Sequence, residues 1–193
     1  MVNYNKLKET ILGFLEEQLP EELYYHGTHH TRDVLEVCDE YVTRDEIPTK
    51  DALLLRTGVL FHDFGFTSSF EDHEKNGALL AEKILPDFGF NKEDIEVVKS
   101  LILATRIPQN PKSQLEKIIC DADLDYLGRD DFYPISHTLY KELKSLGKID
   151  SEEEWDQLQI RFLEAHRYHT DFAIENQQPE KEKRIAELRQ KYS

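Results

Sequence analysis

Histidine and aspartate residues cluster in a few short segments of this chain, and their side chains can do metal chemistry. The residues concerned are His26, His29, His30, His62, Asp63, His73, Asp121, Asp123 and Asp125. Imidazole nitrogens combined with carboxylate oxygens suit zinc, iron, manganese, cobalt or nickel, and carboxylate-rich sites also accept magnesium. A metal site is therefore one interpretation. The other is that the adjacent His62 and Asp63 in VLFHDFGF form a polar helix end entering a turn that Gly65 closes.

The elements that must position these residues are predicted to be helices. Apolar residues recur at helical spacing, for example Ile95, Val98 and Ile102, whereas strand patterns are scarce. The predicted helices lie near residues 3–18, 28–45, 50–62, 70–87, 92–105, 113–127, 131–146, 151–176 and 179–191. The sequence therefore predicts an all-α fold in a single domain.

Start and stop signals support these boundaries. The stretches 68–71, 113–116 and 151–154 each predict a capping box, in which a serine accepts a backbone N–H and a glutamate reaches back. Pro179 is interpreted as a residue that separates two helices. The highly charged segment that follows Pro179 has few apolar positions, so we expect a peripheral helix there.

Composition and charge exclude several classes of protein. The 193 residues suit one domain of ordinary size with a real core. No apolar run approaches the ~20 residues that span a bilayer. The net charge of −15 argues against binding long nucleic acids or anionic membrane surfaces. A small phosphorylated substrate is compatible with this charge if a bound cation supplies local positive charge.

The cysteines and the N-terminal residues bear on the compartment. Cys38 and Cys120 do not belong to a C-x-x-C pair, so we expect reduced, buried thiols rather than disulfides or a thiolate zinc site. The first residues, MVNYNKLKET, lack the apolar segment of a signal peptide. A cytoplasmic location is therefore expected, while the oligomeric state stays open.

The order and spacing of the histidines and aspartates resemble the HD-domain superfamily of metal-dependent phosphohydrolases. The pieces that carry the resemblance are a YHxxxHTxxV segment, a His-Asp pair ending an apolar helix, and a later aspartate in DADLD. They cover about residues 22–130. The resemblance implies a helical bundle of the HD-domain type as one domain over residues 1–193, with C-terminal helices in 131–193 packing on that core.

The resemblance also implies a set of metal ligands. By their match to the family's pattern these are His30, His62, Asp63 and Asp123. Helical geometry does not decide between Asp121 and Asp123, which flank the same apolar face, so direct ligation by Asp121 stays an alternative. Asp121 and Asp125 are also candidates for neighbouring or capping groups. The set predicts one divalent ion, which is manganese, iron, nickel, cobalt, zinc or magnesium.

A second ion is less well supported. Many two-metal members carry two further histidines after the doublet. His73 matches the first of them, but Thr105 stands where the second is expected. A hydroxyl is a poor substitute for imidazole toward a transition metal, so a single-ion site is favoured. His73 then has other interpretations, as a proton carrier, a substrate contact or a helix cap.

Three residues are predicted to take part in proton transfer. Asp63 can accept the proton of the attacking water. His26 resembles the general acid of cyclic-nucleotide phosphodiesterases, with a surface histidine beside the Gly27 turn as the alternative. His73 is the other candidate for assisting the leaving group. His29 is expected to have no role.

Positive side chains must complete a phosphate pocket. The candidates are Arg32, Arg106, Lys112 and Arg129, and for each the alternative is an ordinary surface residue. His166 and His169 repeat the histidine theme near the C-terminus, where packing is the simpler interpretation and a pocket-lining role the alternative.

The function expected from the resemblance is hydrolysis of a phosphate ester, monoester or diester, in a small nucleotide-like substrate. Two alternatives belong to other classes. One is a degenerate HD domain that binds a nucleotide or a protein partner without turnover. The other is a helical structural protein whose histidines coincide by chance.

Overall fold

A computed structural model describes residues 2–191, and within this range the chain contains no strand. The α-helices of the described chain are α1 (Tyr4–Gln18), α2 (Thr28–Arg44), α3 (Thr49–Phe61), α4 (His73–Ile84), α5 (Lys92–Ala104), α6 (Gln114–Asp123), α7 (Phe132–Ser145), α8 (Glu152–Ala165) and α9 (Asp171–Gln190). Short 3-10 segments occupy Phe64–Thr67, Leu85–Phe88 and Asp125–Gly128. The predicted all-α class is confirmed.

The helices belong to two compact units. The first unit comprises residues 2–20 and 26–123 and contains α1 to α6. The second comprises residues 21–25 and 124–191 and contains α7 to α9. The predicted packing of residues 131–193 on the preceding core stays a prediction. No described helix combines the length and apolar character that crossing a membrane requires.

Helix α3 is the centre of the first unit. It contacts α1, α2, α5 and α6, and its residues from Thr57 to Phe61 are all buried. A Cβ atom at Gly58 would lie 2.9 Å from the Cβ of Leu101, so a glycine is needed for α3 and α5 to approach this closely. Helix α3 is therefore held on several sides by packed side chains, which makes its C-terminal end a rigid support.

The second unit has an aromatic-rich core of its own. Tyr126, Phe132 and Leu163 are buried in one cluster with residues of α9. The fully buried carboxylate of Glu142 accepts a hydrogen bond of 2.8 Å from the backbone N–H of Tyr25. A buried carboxylate requires such partners, so this bond ties the segment 21–25 to α7.

The predicted capping boxes are realised to different degrees. At α6, Ser113 Oγ accepts from the N–H of Glu116, and the Glu116 carboxylate accepts from the N–H of Ser113. At α8, Ser151 accepts from the N–H of Glu154, but the Glu154 carboxylate reaches back to the N–H of Asp150 instead. Both helices begin within a residue of the predicted start.

Two predicted boundaries are wrong. Helix α4 begins at His73 rather than near residue 70, because Asp72 adopts a left-handed conformation with φ 52° that interrupts any earlier helical path. Pro179 does not separate helices but lies inside α9. The break falls at residues 166–170, where Thr170 accepts from the N–H of Ala173 and starts α9. A proline inside a helix costs about 3 kcal/mol, and α9 gains apolar packing through Ala173 and Leu188 in the core cluster of the second unit.

Candidate metal centre

His62 and Asp63 follow directly on the most buried helix of the first unit. Their exposed fractions are only 1% and 5%. The Nδ1–H of His62 donates a hydrogen bond of 2.8 Å to the carbonyl oxygen of Val59. When the ring is neutral, this bond keeps the proton on Nδ1 and turns the lone pair of Nε2 toward the neighbouring side chains, which is the orientation a metal ligand requires.

His30 and Asp123 approach the doublet from two other helices. His30 lies in the first turn of α2, and Asp123 is the last residue of α6. The Nε2 atom of His30 lies 3.3 Å from Nε2 of His62 and 3.1 Å from Oδ1 of Asp123. The ligand atoms of His30, His62 and Asp123 all lie within 4.8 Å of one another, so these three side chains can hold a metal ion.

Asp63 places a further carboxylate oxygen beside the two imidazoles. Its Oδ2 atom lies 3.2 Å from Nε2 of His62 and 3.5 Å from Nε2 of His30. This oxygen is buried and makes no hydrogen bond. Two atoms that bind one ion at about 2.1 Å lie about 3.0 to 3.4 Å apart at octahedral or tetrahedral angles. The spacings from Asp63 to the two imidazoles suit a shared ion, while the mutually close group in the described chain comprises His30, His62 and Asp123.

The charge states of the cluster follow from its burial and mutual contacts. Burial favours the uncharged form of His62, but the charges of Asp63 and Asp123 outweigh it and raise the imidazole pKa well above its ordinary value. Burial would raise the pKa of Asp123, yet the hydrogen bonds to His30 and His62 lower it to about 2. Burial would also raise the pKa of Asp63, but the positive charge of His62 holds it well below the ordinary range. The carboxylates are ionised, so a cation that binds here displaces a proton from an imidazole.

Two further histidines, His26 and His73, lie beside the cluster, and both contact the ring of Phe66. The ring of Phe66 stacks on His73 with centroids 4.0 Å apart and lies 4.5 Å from the ring of His26. Nε2 of His73 is 3.7 Å from Oδ1 of Asp63 and 3.4 Å from Oε1 of Glu74. Burial lowers the pKa of His73 more than these carboxylates raise it. His73 is therefore mostly neutral near pH 7 and able to accept a proton.

Gly65 sets the position of His73. A Cβ atom on Gly65 would overlap the backbone carbonyl of His73, and one on Gly77 would meet the carbonyl oxygen of Phe61. Only glycine allows the 3-10 segment Phe64–Thr67 and α4 to approach so closely. This contact brings His73 to the doublet at the end of α3.

The structure also distinguishes residues that the sequence left open. Asp123 rather than Asp121 presents an oxygen to the imidazoles, although Asp121 is fully buried. The hydroxyl of Thr105 donates a 2.8 Å hydrogen bond to the carbonyl of Ile102, within its own helical turn. Asp125 lies in the second unit, where Gln177 donates to its Oδ1 at 2.8 Å.

The four candidate phosphate-binding cations differ in their surroundings. Arg106 pairs at 3.0 Å with Asp72, the residue preceding His73. The other three have partners of their own: Arg32 binds Glu16 at 2.6 Å, Lys112 donates to Asn110 at 2.7 Å, and in the second unit Arg129 binds Asp131 at 2.7 Å. Of the four, Arg106 therefore contacts the segment that carries His73.

Three other histidines considered from the sequence lie outside the cluster. His29 is exposed on α2 beside the buried His30. His166 and His169 lie in the second unit, and Nδ1 of His166 meets Nζ of the fully buried Lys181 at 3.2 Å. Sequence reasoning missed Phe66 and Glu74. The sequence indicates these two residues only by their position near the predicted ligands, because Phe66 lies in VLFHDFGF and Glu74 adjoins His73.

Comparison with known proteins identifies the family. The model of the HD domain matches residues 27–125, about half of the chain and the range that contains all the residues of the cluster. The chain belongs to the HD-domain family. A solved structure with a similar fold is that of a predicted HD superfamily hydrolase from an uncultured Thermotogales bacterium. It has 22% sequence identity and a TM-score of 0.61, and the alignment covers 98% of this chain and 97% of that one. A search of curated protein sequences found no match.

Family membership agrees with the geometry of this HD domain. The superfamily is one of metal-dependent hydrolases, and HD domains typically bind divalent metals. The residues present fit such an ion because the unsatisfied, buried oxygen of Asp63 faces two imidazoles whose nitrogens lie at ligand spacing.

Proposed function

We propose that this HD domain is a phosphohydrolase that uses one divalent ion to cleave a phosphate ester of a small, nucleotide-like substrate. One observation carries the proposal. Oδ2 of Asp63 is a buried anionic oxygen without a hydrogen bond, 3.2 and 3.5 Å from the imidazoles of His62 and His30. A buried anion is costly unless a cation lies beside it, and a bound metal ion would take over this role from the protonated imidazole of His62.

The ligand set suits a transition metal. His30, His62, Asp63 and Asp123 would hold manganese, iron, nickel, cobalt or zinc, and less readily magnesium, because two of the four donors are nitrogens. The chemistry such an ion supplies is a water of lowered pKa and a positive charge beside the phosphoryl oxygens. That positive charge matters in a chain with a net charge of −15, which otherwise repels phosphate.

The chain's own groups supply the proton transfers. Neutral His73, with Nε2 3.7 Å from Oδ1 of Asp63, is placed to share with that carboxylate the proton of the attacking water. His26 lies 6.2 Å from both His30 and His73, measured between ring centroids, and is our candidate for protonating the leaving oxygen.

Aromatic side chains beside the cluster support a substrate with a planar ring. Phe66 packs edge-on against Phe70, with centroids 5.3 Å apart, and Phe70 is 37% exposed. A nucleobase can stack on the exposed part of the Phe70 ring while its phosphate reaches the ion. Arg106 pairs with Asp72, which lies two residues after Phe70 in the chain.

The test is turnover by the purified chain under defined metals. We expect about one transition metal per chain and hydrolysis of some member of a panel of nucleotides and artificial phosphate monoesters and diesters, with manganese, nickel, cobalt or magnesium added. His30→Gln should lose metal and activity. The matched control is His29→Gln, because His29 is the exposed neighbour of His30 on the same helix.

Two outcomes would contradict the proposal. Full activity in a metal-free Asp63→Ala preparation would show that hydrolysis does not use this site. Nucleotide binding without turnover under every metal would favour the degenerate, binding-only HD domain. The cytoplasmic location stays a prediction from the sequence.

A further inference from the structure

We infer that a cavity in the second unit is a binding site for a small aliphatic diamine, independent of the proposed hydrolase site. The cavity measures about 550 Å³ and is lined by residues of α7, α8 and α9. Its volume falls within the range of small-molecule sites. Aromatic rings and carboxylates both line it, which is the combination that recognises an ammonium group on an apolar stem.

A buried carboxylate provides the first ammonium position. Asp156 is only 5% exposed, yet it lines the cavity. Its Oδ2 atom binds Nζ of Lys191 at 2.6 Å, and the side chain of Lys191 is 53% exposed. Lys191 therefore already places a primary ammonium on an aliphatic stem against this carboxylate. A free amine of the same chemistry can take the place of Lys191.

A second carboxylate lies one helical turn away. Glu152 and Asp156 are four residues apart on α8, and both line the cavity. Residues at this spacing have Cβ atoms about 6 Å apart on one helix face. The nitrogens of an extended four-carbon diamine are separated by about 6 Å, because five bonds of about 1.5 Å join them. Asp156 is buried and Glu152 is exposed, so a diamine of this length would place one ammonium at the buried carboxylate and extend the other toward Glu152 at the cavity mouth.

The wall beside these carboxylates is aromatic and polar. Trp155 and Tyr140 are buried, with ring centroids 6.3 Å apart, and both line the cavity. Ser136 donates a 2.6 Å hydrogen bond to Oε1 of Gln159, which holds the cavity wall between α7 and α8. Methylene groups can pack on the rings while the ammonium groups meet the acids.

Tryptophan fluorescence tests this site directly, because Trp155 is the single tryptophan of the chain. The full-length protein is titrated with 1,4-diaminobutane, with 1,4-butanediol as the uncharged control. We expect a saturable change in emission with the diamine only. Asp156→Asn should weaken the apparent affinity at least about tenfold, because the ligand loses a charge-paired buried partner. Lys191→Gln should increase the apparent affinity about two- to fivefold, because it removes the half-exposed ammonium that competes for Asp156.

Glu153→Gln is the matched charge control, since Glu153 is an exposed neighbour of Glu152 that does not line the cavity. It should bind like the unmodified protein. Equal weakening by Glu153→Gln and Asp156→Asn would mean that the amine only screens the acidic surface, and would overturn the proposal. The absence of a saturable change in both the unmodified protein and Lys191→Gln would also overturn it, whether or not Asp156→Asn folds.

Discussion

Replacing Asp63 by asparagine tests the metal centre without changing the size of the side chain. The substitution removes the charge from the buried oxygen that lies 3.2 Å from Nε2 of His62. Groups that only orient a metal ligand typically change metal affinity 10- to 100-fold. A direct ligand should matter more, so we expect the dissociation constant to rise at least about 100-fold.

This change in affinity converts into a thermal shift. At a metal concentration about 100 times the dissociation constant, binding stabilises the folded protein by about 2.7 kcal/mol. At the same concentration an Asp63→Asn variant with 100-fold weaker binding gains only about 0.4 kcal/mol. The difference of about 2.3 kcal/mol corresponds to about 5 to 9 °C in Tm for a chain of this size.

The assay is thermal unfolding of each protein in chelator and in added manganese, nickel or cobalt. The compared quantity is the rise in Tm that the metal causes, so any effect of the substitution on the metal-free protein cancels. Asp87→Asn, an exposed aspartate of the same unit, is the control and should keep the full rise. An equal metal-induced rise in Asp63→Asn and the unmodified protein would refute the assignment of Asp63 as a ligand.

Two further predictions concern other parts of the molecule. Phe66→Leu removes the ring that stacks on His73 and contacts His26, so we expect metal binding to persist while kcat falls about tenfold or more, measured by metal analysis beside steady-state kinetics. Lys181 is fully buried, and burial, aided by the nearby charge of Arg167, lowers its pKa from 10.5 to about 8. Between these pH values the unfolded chain holds more protons, so the free energy of unfolding should rise with pH from 8 to 10.5, by at most about 1.4 kcal/mol per pH unit. Urea unfolding of the unmodified protein and of Lys181→Met across this range measures it, and the variant should lack this contribution.

Each of these predictions has an outcome that contradicts it. If Phe66→Leu binds metal and turns over substrate normally, the stack does not position the two histidines. If Lys181→Met and the unmodified protein show the same pH dependence, Lys181 is charged in the folded protein near its ordinary pKa.

Local features of the fold were predictable because neighbouring residues determine them. The capping box at Ser113 and Glu116 forms as the sequence indicates, since the groups involved are three residues apart. The all-α class followed from the spacing of apolar residues. The prediction failed at Pro179, because it considered only the local preference of proline and not the packing of Ala173 and Leu188 of α9 against residues distant in the sequence.

The residue types of the candidate centre were visible in the sequence, but their meeting was not. HDFGF shows that imidazole and carboxylate adjoin at a helix end. Only the packing of α2, α3 and α6 decides that Asp123 rather than Asp121 faces His30 and His62. Those distances depend on contacts between residues far apart in the chain, and no local spacing encodes them. Tertiary packing likewise decides that Oδ2 of Asp63 has no hydrogen bond. It also brings the ring of Phe66 into contact with His26 and His73.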